Sequence, residues 1–79
     1  MDVREIYTRF NMIFGDVFDD DSIVLTPELS ARDVAEWDSL AHIRLIVSVE
    51  KAFSIKFSAA EVGGLKNVGE FVDLVRSKL

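Results

Sequence analysis

The chain contains no cysteine, which excludes disulfides, thiolate metal sites and a cysteine nucleophile together. Basic residues are in deficit, because 9 lysines and arginines stand against 14 aspartates and glutamates, giving a formal net charge of -5. A nucleic-acid-binding protein needs a basic stripe to displace counterions from phosphates, so we expect no nucleic-acid partner. No apolar run approaches the length of a membrane span, and the charged first five residues do not form a signal peptide. We therefore expect a soluble, cytoplasmic protein with no membrane partner.

The chain is rich in hydrophobic residues. Hydrophobic residues fill 49% of its 79 positions, including six phenylalanines and one tryptophan, as in a globular protein. A chain this short forms one domain, residues 1–79, and buries roughly 60 to 65% of its unfolded surface. Its stability must come from packing, which leaves few buried positions for polar catalytic groups. The acidic balance is compatible with docking on positively charged partner proteins.

The first segment predicts an amphipathic helix from about residue 2 to residue 18. Asp2 and Glu5 lie in its first turn, where negative charge is favoured by the helix dipole. Three aspartates and a serine, residues 19–22, end it, and a long loop then runs to Trp37. Apolar residues within this loop indicate that it packs on the core. The apolar residues of the helix recur at spacings of three and four: Val3, Ile6, Tyr7, Phe10, Phe14, Val17 and Phe18.

Three further helices are predicted downstream. The second begins at Asp38-Ser39 and runs to about Phe53, with Asp38 as its N-cap. Residues 58–61 have the spacing of a capping box and open a short third helix, which two glycines at 63 and 64 end. Residues 67–70 repeat that spacing with asparagine as the cap, and they open a last helix to about residue 78. Together these segments predict an all-α four-helix bundle with a long first loop and a short third helix.

The start of the second helix, Trp37-Asp38-Ser39-Leu40, is the candidate site. Taken alone, Asp-Ser-Leu occurs by chance in roughly a few chains per hundred of this length, and a helix cap explains it. In its context the chain resembles the acyl carrier protein family, in which this motif begins helix two of a four-helix bundle and holds a modified serine. The resemblance follows the order and spacing of nearly the whole chain. It includes the first-helix stripe, residues 25–28, 37–40, the apolar helix to residue 50, and residues 53–57 and 65–68.

The resemblance implies that Ser39 carries a covalent 4'-phosphopantetheine arm derived from coenzyme A. The arm would hold acyl groups as thioesters, and the chain itself would perform no catalysis. Asp38 and Leu40 would be recognised by the phosphopantetheinyl transferase, and further partners would be acyl-loading and acyl-processing enzymes. We expect the carrier to be a monomer. At the first helical position the Ser39 hydroxyl would point into solvent, where the helix dipole favours the negative charge of a phosphodiester.

The resemblance also implies that partner enzymes dock on the second helix. Leu40, Ile43 and Val47 would form an exposed apolar strip, with burial in the core as the alternative for each. His42 and Arg44 complete the predicted docking set, and His42 is expected to be a surface residue that shapes partner choice. The other apolar residues of the helix would line the core, or a cavity able to shelter an acyl chain: Leu45, Ile46, Val49 and Phe53.

The charge of the second helix departs from the usual pattern of the family. In fatty-acid carriers this helix is typically rich in Asp and Glu, which meet basic patches on the partner enzymes. Here Ala41, His42 and Arg44 stand where acids would be expected, and across residues 38–53 two acids balance two basic residues. We therefore expect a specialised pathway, such as one that makes a polyketide or a modified polysaccharide, in place of housekeeping fatty-acid synthesis.

Other classes of function are less well supported. A hydrolase built on Ser39 and His42 would need a separate acid, an oxyanion hole and a water-excluding cleft, for which 79 residues offer no room. An EF-hand loop starting at Asp19 would have isoleucine, valine and serine where a ligand, a glycine and a glutamate are needed, so no metal site is predicted. Two alternatives stay open: a peptidyl or aminoacyl carrier, and an unmodified carrier-like protein-interaction module.

Overall fold

The computed structural model describes all 79 residues and contains four helices and no strand. Helix α1 spans Val3–Phe18, α2 spans Ser39–Phe53, α3 spans Ala59–Gly63 and α4 spans Val68–Lys78. The predicted all-α bundle, with its long first loop and short third helix, is confirmed, and the helices begin and end close to the expected residues. None of the helices is both long enough and apolar enough to cross a membrane.

Helices α1 and α2 run antiparallel and form the centre of the bundle. At one end the rings of Phe14 and Trp37 lie 5.4 Å apart at nearly a right angle. At the other end the ring of Phe10 lies 6.0 Å from that of Phe53. Helix α4 closes the core, because Phe71 packs edge-on against Phe10 with ring centroids 5.0 Å apart. Three helices therefore meet at Phe10, and aromatic contacts fill the space between them.

The predicted apolar stripes supply the core. The fully buried residues of α1 lie at spacings of four, as the periodicity predicts, and the other members of its stripe are half-buried at the margin. All four residues of α2 that were expected to line the core are buried: Leu45, Ile46, Val49 and Phe53. The inward face of α4 is likewise buried: Val68, Phe71, Val72 and Val75.

The first loop packs on the core, as its apolar residues predict. Val34 and Trp37 are buried although they lie outside any helix. Half-buried apolar side chains of the loop pack against the same cluster: Ile23, Leu25 and Leu29. The loop contains turns and no helical segment. It therefore brings Trp37 to a fixed position directly before α2.

Side-chain caps set the starts of α3 and α4. Ser58 and Glu61 form the predicted capping box, with Glu61 N–H donating to Ser58 Oγ at 3.1 Å and Ser58 N–H donating to Glu61 Oε1 at 2.8 Å. At α4 the Asn67 side chain accepts from Glu70 N–H at 2.8 Å. The Glu70 carboxylate, however, accepts from Lys66 N–H, one residue before the cap. The cap at α4 is thus confirmed without the reciprocal bond that completes the box at α3.

Candidate functional site

Ser39 is the first residue of α2, and its position is set by the cap that precedes it. Asp38 has extended backbone, and its Oδ1 accepts from Ala41 N–H at 2.9 Å, as an N-cap does. The Asp38 carbonyl accepts the first helical bond, from His42 N–H at 2.9 Å. The predicted role of Asp38 as the cap is confirmed. It holds Ser39 at the end of the helix, where the backbone amides point toward solvent.

The Ser39 hydroxyl has no hydrogen-bond partner within the chain. The residue is exposed, and its side chain makes no hydrogen bond. The backbone N–H groups of Ser39 and Leu40 also lack an acceptor within the protein. The site thus combines a free nucleophilic oxygen with two free donors at the positive end of a helix dipole. This combination suits a hydroxyl that becomes part of an anionic ester.

An open groove of about 540 Å³ lies beside Ser39, between the start of α2, the first loop and α3. Its walls are mainly apolar or small, and Asp38 is the charged residue among them. The groove opens to solvent, so a group attached at Ser39 can lie along it without entering the core. Nine residues line it: Ala31, Trp37, Asp38, Ser39, His42, Ile43, Val62, Gly63 and Leu65.

His42 differs from the surface residue that we expected, because it is half-buried and both ring nitrogens face partners. The indole N–H of Trp37 donates to His42 Nδ1 at 3.2 Å, so the ring proton lies on Nε2. That nitrogen is 3.4 Å from the carbonyl oxygen of Val62 in α3. The two rings lie side by side, with centroids 6.2 Å apart and planes inclined by 23°. His42 therefore links the first loop, α2 and α3 next to Ser39, a role that the sequence did not indicate.

The predicted apolar strip of α2 is at the surface. Leu40 is 67% exposed, Ile43 58% and Val47 43%, so none of the three is a core residue. Arg44 is exposed between them. Of the five predicted docking residues, four thus lie on the outer face of α2, while His42 lies at its buried margin.

The geometry removes the hydrolase alternative. A base must accept the serine proton, but Ser39 and His42 make no hydrogen bond, and the His42 nitrogens face Trp37 and Val62. Among the aspartates after α1, Asp20 has a structural role, because its Oδ1 accepts from both the backbone N–H and the hydroxyl of Ser22. The hydroxyl bond, followed by the backbone bond, lowers the pKa of the Asp20 carboxyl.

Comparison with known proteins agrees with this geometry. An acyl carrier protein from Rubrobacter xylanophilus is 36% identical over 75 residues, which are 95% of this chain and 93% of that protein. The chain belongs to the acyl carrier protein family. A solution NMR structure of the holo acyl carrier protein from Geobacter metallireducens is 56% identical and has a TM-score of 0.83, covering 87% of this carrier and 79% of that chain. No protein-family model matches the carrier.

Membership of this family makes the chain a carrier and not an enzyme. The family uses covalent 4'-phosphopantetheine, and it interacts with a phosphopantetheinyl transferase and with acyl-handling enzymes. The start of α2 fits the group, since it offers an exposed hydroxyl and two free amides for the ester phosphate. The groove beside Ser39 leaves room for the rest of the arm.

Proposed function

We propose that this carrier holds acyl intermediates on a 4'-phosphopantetheine arm attached to Ser39 and delivers them to partner enzymes. Residues 1–79 would act as a single carrier domain. The observation that carries the proposal is the hydroxyl of Ser39, which is exposed and makes no hydrogen bond at the capped start of α2. When bound, the arm supplies a terminal thiol that carries the acyl group as a thioester, which this cysteine-free chain cannot do by itself.

The surrounding residues support the attachment in distinct ways. Asp38 caps α2 and so fixes the Ser39 oxygen at the surface. The free amides of Ser39 and Leu40 favour a negative phosphodiester, an effect typically worth about 0.3–1 kcal/mol at an exposed helix end. Leu40 stands one residue beyond the serine and is largely exposed. Asp38 and Leu40 are therefore the residues that we assign to recognition by the transferase.

Partner enzymes would dock on the outer face of α2. The exposed positions of Leu40, Ile43 and Val47 support this proposal, because a small protein has no structural need for three large apolar side chains at one surface. Arg44 would select among partners by its charge. His42 would act indirectly, by holding α3 and Trp37 in place beside Ser39.

We further propose a specialised acyl pathway in place of housekeeping fatty-acid synthesis. The support is the charge of α2, because none of the exposed residues within Ser39–Phe53 is an aspartate or a glutamate. Electrostatic complementarity sets the rate of encounter and selects partners, so a changed charge on the docking helix implies a changed partner.

The attachment site is tested by incubating the apo-carrier with coenzyme A and a broad-specificity phosphopantetheinyl transferase, and then recording the intact mass. We expect the wild type to gain the mass of one phosphopantetheine group and Ser39→Ala to gain none. Ser48→Ala, in the same helix, is the matched control and should gain the full mass. Circular dichroism should show that Ser39→Ala stays folded, because the Ser39 side chain makes no hydrogen bond.

Two outcomes of this experiment would contradict the proposal. A wild type that gains no mass would favour the unmodified protein-interaction module. A gain that persists in Ser39→Ala would move the attachment to another residue.

A further inference from the structure

The outer face of α2 combines apolar and cationic side chains. Each residue of a helix advances about 100° around the axis, so five exposed residues of α2 fall within an arc of about 100°. Three of them are the apolar strip and two are basic, and no acid lies within the arc. We call this surface the α2 face: Leu40, Ile43, Arg44, Val47 and Lys51.

The two cations of the α2 face have no partner within the chain. The chain contains two ion pairs, Arg9 with Glu5 and Lys78 with Glu61, and neither lies on this face. Arg44 and Lys51 therefore have no carboxylate within 4 Å. They are seven residues apart, which places them about 10 Å from each other along the axis.

The acids that neutralise α2 in the sequence do not neutralise its outer face. Asp38 lies before the helix, and its carboxylate accepts from Ala41 N–H. Glu50 lies at the margin of the face and is half-buried, and its Oε2 accepts from Phe57 N–H at 2.8 Å. Lys56 lines the same shallow depression as Val47 and Lys51, and it adds a third unpaired cation at the far end of the face.

The excess acid of the molecule is concentrated elsewhere. Seven acids lie between residues 16 and 36, at the end of α1 and in the first loop. This region lies near the start of α2, because Phe14 and Phe18 both contact the ring of Trp37. Arg44 lines a depression with Glu36 and Asp38 near the start of α2, whereas Lys51 and Lys56 lie toward its other end. None of the three cations has a carboxylate within 4 Å.

We propose that the α2 face binds partner proteins whose docking surface is an apolar groove with carboxylates opposite Arg44 and Lys51. The inference rests on the proposed carrier function and specifies the charge of its partners. Covering the apolar strip removes water from the neighbouring cations, so a partner without carboxylates at these places would leave charges desolvated and unpaired. A partner with a basic docking patch would be repelled by Arg44 and Lys51.

The test uses a housekeeping ketoacyl synthase of fatty-acid synthesis, whose docking patch is basic, and a variant in which two basic residues of that patch are changed to Glu. The carrier is titrated against each synthase at about 50 mM and about 300 mM salt, because screening weakens contacts between exposed charges. We expect the wild-type carrier to bind the charge-reversed synthase about fivefold or more tightly than the native one at low salt. The preference should shrink at high salt.

A charge-reversed carrier provides the reciprocal measurement. Arg44→Glu/Lys51→Glu should invert the preference and bind the native synthase more tightly. Arg4→Glu/Arg76→Glu changes the net charge equally, at exposed residues of α1 and α4, and should keep the wild-type preference. Neither pair disrupts an ion pair of the fold, so all variants are expected to remain folded.

The possible results separate this inference from the proposed function. If the wild type gains mass in the transferase assay but shows no charge preference, or if both double variants behave alike, the inference is overturned and the attachment site stands. If no mass is gained, the proposed attachment at Ser39 is wrong, and the titration still measures the charge preference of the α2 face. A concentration-dependent dimer that disappears in Arg44→Glu/Lys51→Glu would assign the face to a second copy of the chain and would also overturn the inference.

Discussion

The Trp37 indole N–H donates to Nδ1 of His42, in a site where the Trp37 side chain is only 8% exposed. A largely buried donor that loses its acceptor costs about 1–3 kcal/mol. The same imidazole ring lies nearly parallel to the indole and approaches the carbonyl of Val62. At the scale of one residue, His42 therefore holds together the three segments that surround Ser39.

We expect His42→Ala to lower the free energy of unfolding by about 1–3 kcal/mol, because it leaves the Trp37 N–H without its acceptor. Urea unfolding followed by circular dichroism measures the change. Arg44→Ala, two residues away on the exposed face, is the control and should stay within about 0.5 kcal/mol of the wild type. In a double-mutant cycle with Trp37→Phe, a coupling near zero would show that the hydrogen bond contributes nothing.

At the scale of the element, α3 depends on its cap more than on burial. The helix has five residues and none is fully buried, so its own packing contributes little. The capping box satisfies amides at its start, and Glu61 also forms an ion pair with Lys78 of α4 at 3.0 Å. Glu61 therefore connects the start of a short helix to the end of the last one.

The hydrogen bond from Ser58 N–H, followed by that from Lys78, lowers the pKa of Glu61 below its ordinary value of 4.5. A carboxyl with a lowered folded-state pKa stabilises the fold above its unfolded pKa and loses that contribution as the pH falls through the folded value. We expect the wild type to lose more thermal stability than Glu61→Gln between about pH 6 and about pH 3. Glu36→Gln, at an exposed carboxylate that makes no hydrogen bond, should follow the wild type, and melting temperatures at both pH values decide the matter.

At the scale of the whole molecule, the first loop is fastened to α4. Gly69 N–H donates to the Pro27 carbonyl and Val68 N–H donates to the Leu29 carbonyl, both at 2.9 Å. The loop thus accepts two of the amides that the start of a helix leaves free. Because the same loop carries Trp37 to the start of α2, this contact couples α4 to the attachment site through the backbone.

The approach of the loop requires glycine at position 69. A Cβ on Gly69 would lie 3.1 Å from both the Cβ and the carbonyl oxygen of Pro27, whose ring and backbone cannot move independently. We expect Gly69→Ala to reduce stability by about 1–3 kcal/mol, as overpacking does. Gly63→Ala is the matched control: a Cβ there meets nothing within 4 Å, so the change should be neutral or should stabilise the fold by up to about 1 kcal/mol. Equal melting temperatures for the two variants would contradict the tight contact.

Some features of the structure are not indicated by the residues at that point of the sequence. The C-cap of helix α2 is Ser54, which adopts the left-handed conformation with a φ of 56°. Glycine is the usual residue there, so composition does not mark the position. The Ser54 and Ile55 amides both donate to the Glu50 carbonyl, and the Glu50 side chain bonds Phe57, so the turn is fixed by contacts formed on folding.

The sequence by itself determined where the helices lie, and its resemblance to the acyl carrier protein family proposed Ser39 as the attachment residue. The caps at Asp38, Ser58 and Asn67 act over three residues, and the apolar spacings act within one helix, so both can be read locally. Tertiary structure decided what surrounds Ser39. The contact of His42 with Val62 joins residues twenty positions apart. The exposure of the α2 face depends on which side of α2 the packing of α1 and α4 leaves uncovered. Because α2 is apolar on more than half its surface, its sequence does not show which of its apolar residues stay exposed.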